Sequence, residues 1–382
     1  AMFLSPLSAL LCDQSPRKAA YSLTKTAIHT EAELAEAELT ILSGKSEETW
    51  QLVAARTGKP ALDSAMGRWA RERRKAIEAN LSASAPVLCY YPAVRFYLHE
   101  GFQKRRARAV DVEIPQLAAY DNAFEIGQQS FEGVVDWFRR EEDLENEVRL
   151  RGESGGLNPR LDAVRQAVLR FMDRLSPNTF DELRVRRDPL DASKAGLVLR
   201  KEGHELDLHN LSDGERGCLV LVADLAQRLA AANPGAPDPL AGVGIVLIDE
   251  IELHLHPRWQ REILPALCDT FPGCQLIVAT HSPHILSRVP REQILLLSKF
   301  HVVERLPHTE GRDTNAILAE LMGVPKRPDD AAEAIDDLAH LIDREDFSAA
   351  HRKLSDLEKR FGPDDQDLLH LSAMMRALED PP

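Results

Sequence analysis

The sequence is poor in aromatic residues, has no long apolar run and carries no surplus of positive charge. Phe, Trp and Tyr make up 5% of its 382 residues. No uninterrupted apolar stretch reaches about 18 residues, so none reads as a membrane-spanning helix. A formal net charge of −14 excludes an all-over basic coat for nucleic acid, while leaving room for local basic patches. The five cysteines, Cys12, Cys89, Cys218, Cys268 and Cys274, form no Cys-x-x-Cys pair. Their apolar neighbours predict reduced, buried thiols, and no signal-peptide pattern is legible, so a cytoplasmic protein is expected.

What is present reads as globular. The chain is 44% hydrophobic and 28% charged, and its length suffices for two or three structural units around one large core. Residues 35–56 pair two stretches rich in Leu, Ile, Val and Thr across Ser-Gly-Lys-Ser, which predicts a hairpin. Helical spacing follows over 60–80, then a short apolar strand in 86–98 stopped by Pro92. Residues 120–151 predict a long helix dense in charge, and a second helix starts near Pro159. The Gly-rich turn between them suggests a helical arm or lid. Strands return at 181–188 and 195–203. Beyond them the chain alternates: helix 214–232, strand 243–249, helix 258–270, strand 275–280, helix 283–288, strand 293–297. That alternation predicts a parallel sheet with helical crossovers. From about 314 the tail reads as acidic helix, without repeats or low-complexity stretches.

Three segments carry chemistry. "GIVLIDE" (244–250) is a continuous apolar strand running into Asp249 and Glu250. Such a strand suits the centre of a parallel sheet, and ligands gather beyond the carboxyl ends of those strands. Two adjacent carboxylates there repel unless a cation intervenes. One can hold Mg²⁺ while the other orients and deprotonates water; a strand end with solvated acids is the bland alternative. "LSDGE" (211–215) places Ser212 at a helix start with Glu215 three residues on, a capping-box spacing. The same N-terminus, with free N–H groups, can take an anion. "ATHSP" (279–283) ends another apolar strand at His281, which can donate to a phosphate oxygen or serve as a structural histidine.

In this order, and about 30 residues apart, the segments resemble the ATPase head of the ABC superfamily in its RecF/SMC/OLD-like AAA branch. "LSDGE" resembles the ABC signature, "IVLIDE" the Walker B strand, "LHLHP" the D-loop region and "ATHSP" the switch-histidine loop. The fuller wording, with "YYPAVR", "WFRREEDLENE" and "GRDTNAIL", is similar to bacterial proteins described as predicted ATP-binding proteins involved in virulence. The resemblance implies an α/β, P-loop NTPase-like ABC head: a mostly parallel sheet with flanking helices, an N-terminal antiparallel β-subdomain, a helical insertion and a helical C-terminal tail. The implied divisions are 1–119, the N-terminal part of the head with the β-subdomain, and 120–180, the helical insertion. The second part of the head is 181–300 and the tail 301–382.

The resemblance also implies roles. Asp249 would hold Mg²⁺, Glu250 would be the general base and His281 would contact the γ-phosphate of ATP. Ser212 and Gly214 would contact the nucleotide of a second subunit in a homodimer with nucleotide sandwiched between the copies. Arg95, after the "VLCYYP" strand, is a candidate nucleotide contact. Asp213 stands where transporters have Gly, and is expected to turn into the helix cap or toward Arg216. The implied activity is ATP hydrolysis driving a dimerisation switch in DNA-linked or antiphage and mobile-element defence, with DNA or an effector nuclease as possible partner and no membrane.

A phosphate loop needs Gly-x-x-x-x-Gly-Lys-Ser/Thr, and the sequence has no match. "SGKSEE" (43–48) has Leu39 where the first Gly would stand and sits in the expected hairpin; in "TGKPAL" (57–62) a Pro replaces Ser/Thr. "AMFLSPLSALL" reads as the second half of an amphipathic helix. The chain is therefore expected to begin inside the helix that follows Walker A and to bind ATP poorly by itself. Natural loss of the loop is the alternative, with a non-hydrolysing scaffold or partner-docking module as the matching function. Zinc at His254 and His256 and a DNA-backbone contact at Lys104–Arg108 or Arg139-Arg140 are further options.

Overall fold

The computed structural model describes residues 33–43, 46–55, 61–62, 64–93, 114–121, 123–124, 131–152, 158–187, 196–299 and 301–379. Arg95, the basic run Lys104–Arg108, Gly44-Lys45 and the first 32 residues lie outside these. Two compact units divide the chain, 1–285 and 286–382.

The first unit opens with the expected hairpin. β1 (Leu34–Ser43) and β2 (Ser46–Ala55) are antiparallel with Ser43 opposite Ser46, and β3 (Ala61–Leu62) adds to β2. "SGKSEE" thus joins two strands, whereas a phosphate loop joins a strand to a helix. Helix α1 (Ser64–Ala79) packs here, with buried Trp50 meeting Trp69 edge to face at 5.5 Å.

Among the described residues, the parallel sheet is built from β4 (Val87–Tyr91), β8 (Gly244–Ile248) and β9 (Cys274–Val278), in the order β4-β8-β9. Both pairings are parallel and in register over five residues, so "GIVLI" is central, as its apolar run predicts. Its burial alternates along the strand, however, and on β9 Ile277 is exposed, so the two faces are not equally covered among the described residues.

Between β4 and β8 the chain makes helices α2 (Phe131–Leu150) and α3 (Pro159–Leu175). It then forms an antiparallel sheet of β5 (Phe180–Arg186), β6 (Gly196–Lys201) and β7 (His204–Asp207), and helix α4 (Asp213–Ala232). α4 is buried nearly all round, as an apolar sequence on every helix face requires. The expectation of an arm or lid at 120–180 needs correcting for α3. Its row Leu161, Val164, Ala167, Val168, Phe171 and Leu175 is buried, and the helix packs against α4 rather than projecting. α2 has a weak apolar stripe because it is glued by charge. Buried Glu142 and Glu145 both receive Arg165, and Glu142 also receives Arg187 and the Val185 N–H. Trp137 and Phe138 are buried beside them, with Arg165 over the Phe138 ring.

β8 passes through helix α5 (Pro257–Thr270) to β9, giving one β–α–β crossover. α6 (Pro283–Leu286) is a single turn. The expected strand at 293–297 is reduced, among the described residues, to Leu297–Ser298 (β10), which pairs antiparallel with His301–Val302 (β11) in the second unit. Of the described cysteines, Cys89 and Cys218 are buried, Cys274 is half-buried and Cys268 is exposed on α5.

The second unit ends in α7 (Thr314–Glu320), α8 (Asp329–Asp343), α9 (Phe347–Phe361) and α10 (Gln366–Glu379). α8–α10 close a core of Leu338, Ile342, Leu354, Leu357, Leu368 and Met375.

Candidate functional site

The strand-end acids are placed by two backbone hydrogen bonds. The Asp249 N–H donates to the Tyr91 carbonyl at 2.9 Å on one side, and the Ala279 N–H donates to the Ile248 carbonyl at 2.9 Å on the other. The ladder therefore holds the chain through residue 249. At Glu250 the backbone turns with φ 47°, in the left-handed region that a side chain rarely occupies. His254 repeats the excursion at φ 63°. Left-handed backbone at non-glycine residues costs about 1–3 kcal/mol each and gathers at functional sites, where the surroundings over-determine it.

The turn aims Glu250 at the next strand end. Glu250 Oε1 lies 3.7 Å from His281 Nε2, within ion-pairing range when the ring is protonated. The His281 side chain is 86% exposed, so it is held chiefly by its backbone. That backbone is anchored by a residue that sequence reasoning missed. Glu252 accepts from the His281 N–H at 2.6 Å and from Thr280 Oγ1 at 2.7 Å. Only its position two residues beyond Glu250, the same alternation that brings out His254 and His256, could have flagged it.

Ser212 caps α4 as its spacing predicts. Its Oγ accepts from the Glu215 N–H at 3.3 Å, while Glu215 Oε2 accepts from the Ser212 N–H and Oγ, each at 2.9 Å. Lys201 adds a 2.7 Å ion pair to Glu215 Oε1. Burial would raise the Glu215 pKa, but Lys201 and the Ser212 donors outweigh it and hold the carboxyl below its usual value. Asp213 pairs with Arg216, one of its two expected outlets. Gly214 is buried against the strand-end turn. A Cβ there would lie 2.5 Å from the His254 carbonyl oxygen and 3.2 Å from Leu255 Cδ2. Helix α4 thus starts in contact with the turn that carries Glu250, and only a glycine permits that approach.

The two turn histidines have structural work. His256 caps α5, its Nδ1 accepting from the Arg258 N–H at 3.2 Å, and the His254 carbonyl abuts Gly214. Among the described residues no cluster of three His, Cys, Asp or Glu could hold a metal alone. Hard carboxylate oxygens at Asp249 and Glu250 nevertheless suit Mg²⁺, which ordinarily takes one or two protein carboxylates and completes its shell with water and phosphate.

Beneath the site lies a polar network with no sequence signal beyond its residue types. Tyr91 Oη donates to Asp224 Oδ2 at 2.8 Å, and Arg228 donates to Asp224 and to the carbonyls of Ala119 and Asp121. Burial and the Asp224 charge push the Tyr91 phenol well above its usual value, so it stays a donor. Burial also pushes the neighbouring Cys89 thiol up to about 12.

Residues 97–287 match a family model described as "AAA domain, putative AbiEii toxin, Type IV TA system". The retron Ec83 probable ATPase of Escherichia coli is 38% identical over 196 residues, 50% of this chain and 35% of that protein. The retron Vc95 probable ATPase of Vibrio cholerae serotype O1 biovar El Tor is 29% identical over 330 residues, 74% of this chain and 59% of that protein. The Septu protein PtuA of Bacillus thuringiensis is 26% identical over 172 residues, 42% and 43% respectively. The chain thus spans roughly a third to three-fifths of the length of these three curated relatives. Among solved structures, an SMC head bound to the C-winged helix domain of ScpA has 14% identity and a TM-score of 0.35, covering 74% of this chain and 79% of that one. The SMC head domain from Thermotoga maritima has 15% identity and a TM-score of 0.31, covering 68% and 70%.

Proposed function

The chain belongs to this AAA-domain family, and from that premise we propose that it supplies the hydrolytic side of an ABC-type ATP site. The observation that carries the reading is the Glu250–His281 pair at the ends of two adjacent parallel strands, with Glu250 held in a strained conformation. Glu250 is the general base: its carboxylate takes the proton of the attacking water, and the strained turn aims it away from the strand axis. His281 donates to the γ-phosphate from the neighbouring strand end. Asp249 is the residue that would hold Mg²⁺, which when bound neutralises phosphate charge and orients its oxygens. Ser212 and Gly214, at the start of α4, face the nucleotide of a second copy in a head-to-tail dimer, where helix N–H groups favour an anion. Arg95 is carried as a nucleotide contact on its place after β4. The names of the retron and Septu relatives support a role in defence; the partner proposed is DNA or an effector nuclease.

The test is ATP turnover by the protein as its gene encodes it. Glu250→Gln removes the base while keeping the shape, and is expected to lower kcat by about 10²-fold or more. The same variant should hold ATP and accumulate dimer in light scattering. Unchanged turnover would discard the base assignment.

A further inference from the structure

The exposed His281 ring needs an anchored backbone to stay beside Glu250, and the loop that carries it is tied to the strand-end turn at two points. The first is Glu252, whose two carboxylate oxygens take the His281 N–H and the Thr280 hydroxyl. Both donors are neutral, so among the described residues the charge of Glu252 is spent on the geometry of this loop and not on pairing with a cation. Thr280 Oγ1 in turn accepts from the Ser282 N–H at 3.0 Å. The second tie is Gln260 on α5, which donates to the Leu255 carbonyl at 2.9 Å and accepts from Ser282 Oγ at 2.7 Å. Ser282 is buried, and its hydroxyl also accepts from the N–H groups of His284 and Ile285. Turn 249–255 and loop 279–282 are therefore cross-linked, directly through Glu252 and by way of Gln260 on α5. Through the His254 carbonyl the same turn abuts Gly214 at the head of α4.

We infer that Glu252 is a positioning residue: it latches the His281 loop to the strand-end turn, so that Glu250, His281 and the start of α4 hold one spacing. It touches no reacting atom. This rests on the ATPase reading for its consequence, but the latch itself is a property of the folded chain and is measurable without nucleotide.

The experiment has two arms, both on the protein as its gene encodes it. In the first, hydrogen exchange is followed at the amides of 279–282. Glu252→Ala should raise exchange at His281 by about 10-fold or more while α3 and α4 stay protected, because the local opening loses its hydrogen-bond partner. Glu252→Gln should restore most of the protection, since its amide oxygen still accepts from the His281 N–H. Thr280→Val, a mild change that removes one of the two donors to Glu252, should raise exchange at His281 and serves if Glu252→Ala fails to fold. In the second arm, Glu252→Ala should lower kcat for ATP by about 10-fold with KM little changed, since misplacing a catalytic group by about 1 Å is enough. Glu252→Gln should recover most of it. Unchanged exchange in Glu252→Ala or Thr280→Val overturns the latch. Raised exchange with unaltered kcat overturns its catalytic consequence. If the unsubstituted protein turns over no ATP, the ATPase reading falls, while the exchange arm still decides for or against the latch.

Discussion

At the scale of single residues, the site is a set of close approaches that tolerate little change. Gly214 is the clearest. Its missing Cβ is the space occupied by the His254 carbonyl, and backbone is not a neighbour that swings aside. Gly214→Ala should cost about 1–3 kcal/mol, the usual range for overpacking, read as a lower melting temperature; an unshifted melt would mean that the turn relaxes freely. Asp224 is the second. It is the shared acceptor of Tyr91 and Arg228, all three buried, and Arg228 stays charged because that carboxylate offsets its desolvation. Asp224→Ala strands a buried guanidinium and should cost about 3–5 kcal/mol in denaturant unfolding. Because Tyr91 also accepts the Asp249 N–H, the same change should loosen the strand end.

At the scale of elements, helix α4 ties local and long-range effects together. Its capping box is a sequence-local device, but Lys201 from β6 reinforces it. Glu215 titrates below its usual value in the folded protein. A carboxyl depressed by folding adds stability that is fully present above its unfolded pKa, about 4.3, and that is lost as pH falls through the folded value. The stability gap between the native protein and Glu215→Gln should thus be widest near neutrality and close in acid, as measured by urea melts at about pH 7 and about pH 3.5. A gap that widened in acid would contradict the assignment. α3 shows the opposite balance. Read alone, its charged and apolar residues suit an arm; what decides its place is the buried row that meets α4.

At the scale of the molecule, the second unit carries its own core and its own polar clasp. Arg327 donates to Asp365 and Asp367, and Lys326 also reaches Asp367, so the lead into α8 is fastened to the start of α10. With Leu338, Ile342, Leu354, Leu357 and Met375 buried among three helices, residues 326–379 should fold alone. The excised segment is expected to show helical circular dichroism and a cooperative thermal transition. Leu338→Ala should cost about 2–5 kcal/mol in it. A non-cooperative melt of the excised segment would show that this core needs the rest of the chain. The fold of the first unit has no such local economy. β4 and β8 are neighbours in the sheet although about 150 residues separate them in the chain, so the frame of the strand-end acids rests on a long-range pairing.

The amino-acid sequence by itself determined the local devices: the 34–55 hairpin, the Ser212 cap, the central apolar strand with its terminal acids, and the helical tail. Each of these follows from side-chain periodicity or from a short-range hydrogen bond, and so is written within a few residues. Tertiary structure alone decided that Glu250 turns toward His281, that Glu252 holds the loop between them, that Gly214 makes room for His254, and that 297–298 pairs with 301–302. Those outcomes depend on which strand ends become neighbours, and contacts across tens of residues leave no period in the chain to read.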